Sequence, residues 1–174
     1  NARLFTRMEE LATTDPLTGL YNRRHFFVMA ENELERALRY EKPLIVMMLD
    51  FDHFKSVNDT YGHRVGDQTL QAVAKLCTHE LRKMDIIGRY GGDEFAIILP
   101  ETEKEEGFEV ADRLRRSVAE TPILCHRGSI HITISIGLAN LTKESPSIEL
   151  LLDLADQALY NAKQAGRNHI TALE

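Results

Sequence analysis

Residues 86–99 read Ile86-Ile87-Gly88-Arg89-Tyr90-Gly91-Gly92-Asp93-Glu94-Phe95-Ala96-Ile97-Ile98-Leu99, and they contain the most informative local pattern of the chain. Two short apolar runs flank a Gly-Gly pair, which predicts a β-hairpin whose tight turn needs positive φ at both glycines. Glycines also leave room for a ligand to approach the backbone. Two acids, Asp93 and Glu94, follow at once, so we expect two carboxylates at the mouth of the hairpin, facing something cationic.

The composition suits one domain with a sizeable core, because 43% of the 174 residues are apolar. The net charge is −6, from 21 basic and 27 acidic residues, which argues against broad binding to nucleic acid or to an anionic membrane. Cys77 and Cys125 are predicted to be reduced thiols of a cytoplasmic protein. The sequence has no signal peptide, and no apolar run approaches the ~20 residues of a membrane span. The chain begins with Asn1, as a piece of a longer protein would.

The rest of the chain alternates between helical and strand patterns. Helical patterns cover residues 1–12, 23–40, 66 onward, 103–120 and 147–166, and residues 53–61 form a short helix or a turn. Strand patterns cover residues 44–49, 123–125, 130–136 and 169–172. This order predicts an α/β (α+β) fold with a mixed central sheet and a βαββαβ core flanked by helices. Residues 1–12, with Leu4, Met8 and Leu11 in helical phase, form a linker helix that is either the end of a coiled coil or a docking helix.

The candidate chemistry lies where the central strand ends. If that strand and the hairpin are neighbours, Asp50, Asp52, Asp93 and Glu94 converge at one edge of the sheet. Carboxylates that lie close together repel one another unless a cation sits between them. Oxygen ligands of this kind favour Mg²⁺ or Mn²⁺, the ions of nucleotidyl transfer. Taken separately, each acidic pair could also be a solvated strand end or a solvated hairpin.

Five separated motifs resemble one known family, the GGDEF-domain diguanylate cyclases, which make cyclic di-GMP from two GTP molecules. The matching stretches are 15–24, 50–55 with Asn58 and Asp59, 62–67, 91–95 and 160–168. The resemblance covers the chain from about Asp15 to Asn168. It implies a GGDEF domain over residues 13–174, a sheet related to that of nucleotide cyclases and polymerase palms, and a linker helix that ends a missing sensor region.

The resemblance also implies the catalytic roles. Asp50 and Asp93 would hold two Mg²⁺ (or Mn²⁺) ions, with the carbonyl of Phe51 as a further ligand. Asp93 would also take the proton from the ribose 3′-hydroxyl, and Glu94 would lie beside the metal–phosphate cluster. Lys55 would offset the charge that builds on the phosphates, although a plain surface lysine is the alternative.

Substrate contacts are implied in the same way. Asn58 and Asp67 match guanine-binding residues, and His63, Gly91 and Gly92 match positions beside the substrate. A carboxylate at Asp67 can accept from the ring N–H and the exocyclic amine of guanine, which favours GTP over ATP. Alternatively, Asp67 is the N-cap of the helix that follows. Lys163 and Arg167 are expected four apart on one helix face, where they reach phosphates or simply complement the helix dipole.

A second site is implied by an Arg-x-x-Asp sequence ahead of the signature. Arg82 and Asp85, with Arg113 as a third contact, would bind the product cyclic di-GMP and inhibit the enzyme. A solvated helix end is the alternative for these residues. Since one domain has one GTP site, catalysis would need a homodimer with two domains face to face.

Two other functions compete with this interpretation. The first is a non-catalytic GGDEF module that acts as a receptor for GTP or cyclic di-GMP. The second is a class III nucleotide cyclase or a polymerase-palm enzyme, which uses the same two-metal chemistry on a related sheet.

Overall fold

A computed structural model describes residues 13–126, 128–144 and 147–173. The linker helix predicted over residues 1–12 lies outside these ranges. In chain order, the elements are β1 (Tyr21–Asn22), α1 (Arg23–Tyr40), β2 (Leu44–Phe51), α2 (Phe54–Tyr61), α3 (His63–Glu80), β3 (Ile86–Arg89), β4 (Glu94–Pro100), α4 (Lys104–Glu120), β5 (Ile123–Cys125), β6 (Gly128–Ile130), β7 (Ile134–Asn140), α5 (Ile148–Gln164) and β8 (Ile170–Leu173). Among the described helices, none combines the length and the apolarity that crossing a bilayer requires.

A six-stranded mixed sheet forms the centre of the protein, in the order β1-β3-β4-β2-β7-β8. Strand β2 is antiparallel to both of its neighbours, β4 and β7, whereas β1 runs parallel to β3 and β7 parallel to β8. All eight residues of β2 are buried, as expected for an apolar run in the middle of a covered sheet. The predicted α+β class, the mixed sheet and the pairing of the central strand with the hairpin are confirmed.

Helices cover both faces of the sheet. Alternate residues of β2 point to opposite faces, so that Ile45, Met47 and Leu49 pack with α3 and α4, and Val46 and Met48 pack with α1 and α5. On the second face, α5 lies very close to β7, because a Cβ at Gly137 would overlap the backbone of α5. Asp50 belongs to this second face by the same alternation, and it therefore points towards α5.

The hairpin that joins β3 and β4 has a wider turn than we predicted. Four residues, Tyr90 to Asp93, connect the strands, and the backbone N–H groups of Tyr90 and Gly91 both donate to the carbonyl of Glu94, at 2.8 and 3.1 Å. Gly91 and Gly92 are absent from the described residues with positive φ, so the expected φ at these positions is wrong. A longer loop reverses the chain without the left-handed pair that a two-residue turn requires.

Two element boundaries also differ from the prediction. The strand expected at 130–136 is instead β6, which ends at Ile130, and β7, which begins at Ile134. Ile132 is buried although it lies between the two strands. Its burial continues the alternation of buried and exposed residues that is typical of a strand, although this segment is irregular. Helix α3 begins at His63 and not at Gly66, because Gly62, with φ 87°, separates α2 from α3.

Candidate active site at the end of strand β2

The ends of β2 and β4 bring the predicted acidic residues together. In the antiparallel register Asp50 lies directly opposite Glu94. The backbone N–H of Phe51 donates to the carbonyl of Asp93 at 3.4 Å, which holds the residue before β4 against the end of β2. Asp50, Asp93 and Glu94 therefore share one end of the sheet, as the sequence predicts.

Asp50 is a buried carboxyl group in an acidic environment. Its exposed fraction is 8%, and burial raises its pKa to about 6. The ammonium of Lys163, which lies 2.9 Å from Oδ2, lowers the pKa, while Asp93 and Glu94 raise it. An anion in this position needs a cation nearby, and Lys163 supplies one from α5.

The donor set suits a divalent ion that binds together with a nucleotide. Within the described ranges, no group of three or more Asp, Glu, His or Cys side chains is arranged to hold a metal by itself. Mg²⁺ commonly uses only one or two carboxylates, and substrate phosphates and water complete its coordination. A desolvated Asp50 next to two further acids therefore fits Mg²⁺ or Mn²⁺ as a partner of a phosphate-bearing ligand.

Asp52 lies at the same edge of the sheet, but its contacts differ from those of Asp50. Its carboxylate accepts hydrogen bonds from Oγ1 of Thr133 and Oγ of Ser135, both at 2.7 Å, and from the backbone N–H of Asn168 at 2.9 Å. Asp52 therefore converges on this edge as the sequence predicts, and neutral donors bond both of its oxygens.

Arg89 and Asp15 hold the glycine turn in place. The Arg89 guanidinium donates to the carbonyls of Gly91 at 3.2 Å and Gly92 at 2.7 Å, and it also bonds both carboxylate oxygens of Asp15. We assigned neither charged residue a role from the sequence. The available signal was an arginine at the end of a short apolar strand, immediately before the two glycines.

The turn itself is open to a ligand. A Cβ at Gly92 would meet no atom within 4 Å, whereas a Cβ at Gly91 would collide with the carboxylate of Glu94. Gly92 is exposed and Gly91 is half-buried. Gly92 therefore keeps the backbone accessible beside the acidic edge, whereas the Glu94 carboxylate fills the space beside Gly91.

The predicted guanine contacts lie at the junction of α2 and α3. Oδ1 of Asn58 is buried and has no hydrogen-bond partner among the residues that the structure describes. It lies against Gly66, where a Cβ would overlap it, and this contact brings Asn58 close to the residue before Asp67. His63, the first residue of α3, and Asp67 are both exposed. Gly62 occupies the N-cap position of α3, so the N-cap alternative for Asp67 is wrong.

The predicted phosphate-binding cations come from three places. Lys55 is exposed near the start of α2, and Lys163 lies in the last turn of α5 beside Asp50. Arg167 lies beyond the end of α5 in a left-handed conformation with φ 62°. The expectation that Lys163 and Arg167 share a helix face is therefore wrong, because Gly166 follows the end of the helix with φ 119°.

The predicted product-binding residues form a separate cluster. The backbone N–H of Arg82 donates to Oδ2 of Asp85 at 2.7 Å, while Oδ1 of Asp85 is buried and unpaired within the described part of the chain. Burial raises the pKa of Asp85, and Arg82 and Arg113 oppose this effect, so both arginines lie within electrostatic range. Nε of Arg113 lies 3.1 Å from Oε2 of Glu80, beside a groove of about 620 Å³.

Comparison with known proteins identifies the family of the chain. The family model described as diguanylate cyclase, GGDEF domain, matches residues 12–169. The chain is 40% identical over 162 residues to the probable diguanylate cyclase DgcC of Escherichia coli K12 and 38% identical over 163 residues to the response regulator PleD of Caulobacter vibrioides. These matches cover 93% and 92% of this chain, but only 43% and 36% of the relatives, so the chain spans less than half of their length.

A solved structure is similar in fold over the whole domain. The GGDEF domain of DgcB from Caulobacter crescentus, crystallised in complex with c-di-GMP, superimposes with a TM-score of 0.88 at 34% identity. The match covers 92% of this chain and 93% of the DgcB chain.

Proposed function

Because the chain belongs to the diguanylate cyclase GGDEF-domain family, we propose that it condenses two GTP molecules into cyclic di-GMP and two pyrophosphates. One observation carries this proposal: Asp50, Asp93 and Glu94 place three carboxylates beside an open glycine turn, and Lys163 at Asp50 balances one of these charges, so the site has room for further cations. A nucleotide triphosphate with its divalent ions supplies them.

Base recognition depends on Asn58 and Asp67. Oδ1 of Asn58, at the α2–α3 junction, is an acceptor without a partner among the described residues. Asp67, exposed on α3, accepts from the ring N–H and the exocyclic amine of guanine. Adenine presents an acceptor at that ring nitrogen and would leave the carboxylate unpaired, which costs affinity. The substrate is therefore GTP and not ATP, with His63 beside it at the start of α3.

The triphosphate lies along the glycine turn. Gly91 and Gly92 allow its phosphates to approach the backbone, and Lys55, Lys163 and Arg167 supply the positive charges that bind them. Lys163 leaves Asp50 and moves to a phosphate oxygen as the nucleotide binds. These three positive charges stabilise the negative charge that develops on the phosphates in the transition state, so the loss of any one of them should slow phosphoryl transfer.

Asp50 and Asp93, with the carbonyl of Phe51, would hold two Mg²⁺ or Mn²⁺ ions, and Glu94 lies beside them. When bound, such ions polarise the phosphates and stabilise the charge on the attacking and leaving oxygens. Asp93 accepts the proton of the ribose 3′-hydroxyl. The 3′-oxygen then forms a bond to the α-phosphorus of the second GTP, and the bond to the departing pyrophosphate breaks.

Two copies of the domain are needed for this reaction. Each domain binds one GTP, so the 3′-oxygen of one nucleotide reaches the α-phosphate of the other only when two domains face each other. A second transfer in the opposite direction closes the ring. Residues 1–12 would belong to the segment that brings the two copies of a homodimer together. The free thiols of Cys77 and Cys125 support a cytoplasmic location for the reaction.

The product binds a second site and inhibits the enzyme. Arg82 and Arg113 contact its phosphates or stack on guanine, and Asp85 accepts from the edge of the base. The unpaired Oδ1 of Asp85 supports this assignment, since it is an acceptor that has no partner in the described chain.

Incubation of the chain with GTP and Mg²⁺, followed by chromatography of the products, tests the proposal. We expect cyclic di-GMP and pyrophosphate from GTP and no product from ATP. Nucleotide binding without any product would instead indicate a receptor module. A cyclic mononucleotide or a polymer would indicate one of the other two-metal enzyme classes.

A further inference from the structure

We propose that Asp52 is a positioning residue, whose buried carboxylate holds the loop 166–168 in the conformation that presents Arg167 to the substrate phosphates. This inference rests on the proposed function, which places Arg167 at the triphosphate. It gives a role to an acid that the proposed function does not use.

Asp52 is buried, and hydrogen bonds fix its side chain in one position. Its exposed fraction is 4%, and its carboxylate accepts three hydrogen bonds, from Thr133, Ser135 and the backbone of Asn168. Its own backbone N–H donates to the carbonyl of Thr133 at 2.9 Å. Hydrogen bonds to a buried charged acceptor are short and strong. The carboxylate therefore ties the end of β2 to the start of β7 and to the loop after α5.

The loop that Asp52 holds has an unfavourable backbone conformation. Gly166, Arg167 and Asn168 have φ values of 119°, 62° and 48°, which places three successive residues at positive φ. Glycine and asparagine tolerate this region, but arginine rarely adopts it. Such a conformation persists only where the surroundings hold it. Here the Arg167 N–H donates to the carbonyl of Ala162 at 3.3 Å, and the contacts of the neighbouring Asn168 hold the other side.

Asn168 is held from two sides. Its backbone N–H donates to Asp52, and its side-chain Oδ1 accepts from Nη1 of Arg115 at 2.9 Å. Arg115 is oriented in turn by Asp112, whose Oδ1 lies 2.7 Å from Nη2 of Arg115. The residue next to Arg167 is thus fixed between the end of β2 and helix α4.

Asp50 and Asp52 make different kinds of contact at the end of α5. Asp50 holds the side chain of Lys163 through a single ion pair, which a cation and a nucleotide can exchange. Asp52 holds a backbone amide, which has no other role in binding. One acid thus releases its partner when substrate arrives, while the other keeps the loop in place.

A double-mutant cycle between Asp52→Asn and Arg167→Ala tests the inference in the dimeric protein. Asn at position 52 has nearly the same shape, but it loses the charge, and only its Oδ1 can accept hydrogen bonds because its Nδ2 is a donor. We expect Asp52→Asn to raise KM for GTP about tenfold, the loss of one strong hydrogen bond. In the Arg167→Ala background, the same change should raise KM by less than about twofold, because the loop then has no arginine to present.

Multiplication of the two KM effects in the double mutant would overturn the inference, because Asp52 would then act independently of Arg167. An unchanged KM in Asp52→Asn would overturn it as well. If Arg167→Ala alone leaves KM unchanged, the role of Arg167 in the proposed function fails, and the inference fails with it. The single mutant therefore distinguishes the two failures.

Arg115 and Arg116 provide a matched pair if Asp52→Asn does not fold. Both arginines bond Asp112, at 2.7 and 2.8 Å, but Arg115 also donates to Asn168. We expect Arg115→Ala to raise KM for GTP several-fold and Arg116→Ala to leave it unchanged. Equal KM values in the two variants would contradict the inference.

Discussion

Nη1 of Arg89 lies 3.1 Å from Oδ1 and 3.2 Å from Oδ2 of Asp15, although 74 positions separate the two residues in the chain. The same guanidinium donates to the carbonyls of Gly91 and Gly92. The segment that precedes α1 is therefore connected directly to the turn that carries Asp93. A displacement of Asp15 would therefore move the glycine turn through the side chain of Arg89.

Asp15→Asn should destabilise the protein in a pH-dependent way. Burial alone would raise the pKa of Asp15, but hydrogen bonds from Thr18 and the charge of Arg89 outweigh it and lower the pKa below 3.8. A lowered pKa in the folded state means that the stabilisation is complete above the unfolded-state value and disappears as the pH falls through the folded value. We expect Asp15→Asn to cost about 1 kcal/mol at pH 7, or about 2–4 °C in Tm.

Thermal melts of both proteins from neutral pH to below 3.8 check this prediction, with the exposed Asp156→Asn as a control for the loss of one negative charge. The Tm difference between wild type and Asp15→Asn should shrink as the pH falls. A difference that stays constant over this range would contradict the assignment.

Metal binding in the presence of a non-reactive GTP analogue should depend on the protonation of Asp50. Its pKa is raised to about 6, mainly by burial, and a carboxyl group must lose its proton before it can bind a metal. Below that pH the affinity for Mn²⁺ should fall about tenfold per pH unit, and above it the affinity should level off. Calorimetric titration with Mn²⁺ between pH 5 and pH 8, in roughly half-unit steps, measures this profile. A flat profile would show that Asp50 does not control the metal site.

The neighbourhood of the active site could be predicted because it depends on local patterns. The apolar run 44–49 reads as a central strand, and a hairpin next to it must place Glu94 near Asp50. The register places these two residues directly opposite each other. The three hydrogen-bond donors to Asp52 come from residues far away in the chain, and no local pattern links them to it. The sequence therefore did not predict them.

The remaining errors have two physical causes, which are tertiary contact and a local reversal of the backbone. The turn at Gly91 is wider than a two-residue hairpin, and Arg89, itself bonded to the distant Asp15, donates to its carbonyls. Ile132 is buried by tertiary contacts although it lies outside the strands, so the apolar–polar alternation around it looked like a strand in the sequence. Arg167 continues the helical spacing of Lys163, but Gly166 reverses the backbone first.

Product inhibition should depend on Arg82. Removing this guanidinium takes away a ligand for a phosphate or for guanine, while the acidic edge at Asp50 stays intact. We expect Arg82→Ala to raise the inhibitory concentration of cyclic di-GMP about tenfold or more without lowering the initial rate. The adjacent, exposed Lys83→Ala is the matched control and should be inhibited like wild type. If cyclic di-GMP inhibited both variants equally, Arg82 would not be a ligand of the product.

Asp93→Asn should bind GTP but not turn it over. An amide has nearly the same size as the carboxylate, so the turn keeps its shape, but an amide cannot accept the proton of the 3′-hydroxyl and is a poorer ligand for Mg²⁺. The expected loss of kcat is at least about a thousandfold, with GTP still bound in equilibrium dialysis.

The central claim is that two copies of this chain join two GTP molecules at the edge formed by Asp50 and Asp93. Its most direct test is the initial rate of cyclic di-GMP formation, from GTP and Mg²⁺, measured over a range of protein concentrations for wild type and Asp93→Asn. We expect the wild-type rate to rise faster than linearly at low concentration, and the variant to form no product. A wild-type protein that forms no cyclic di-GMP at any concentration, or a variant with wild-type activity, would contradict the account.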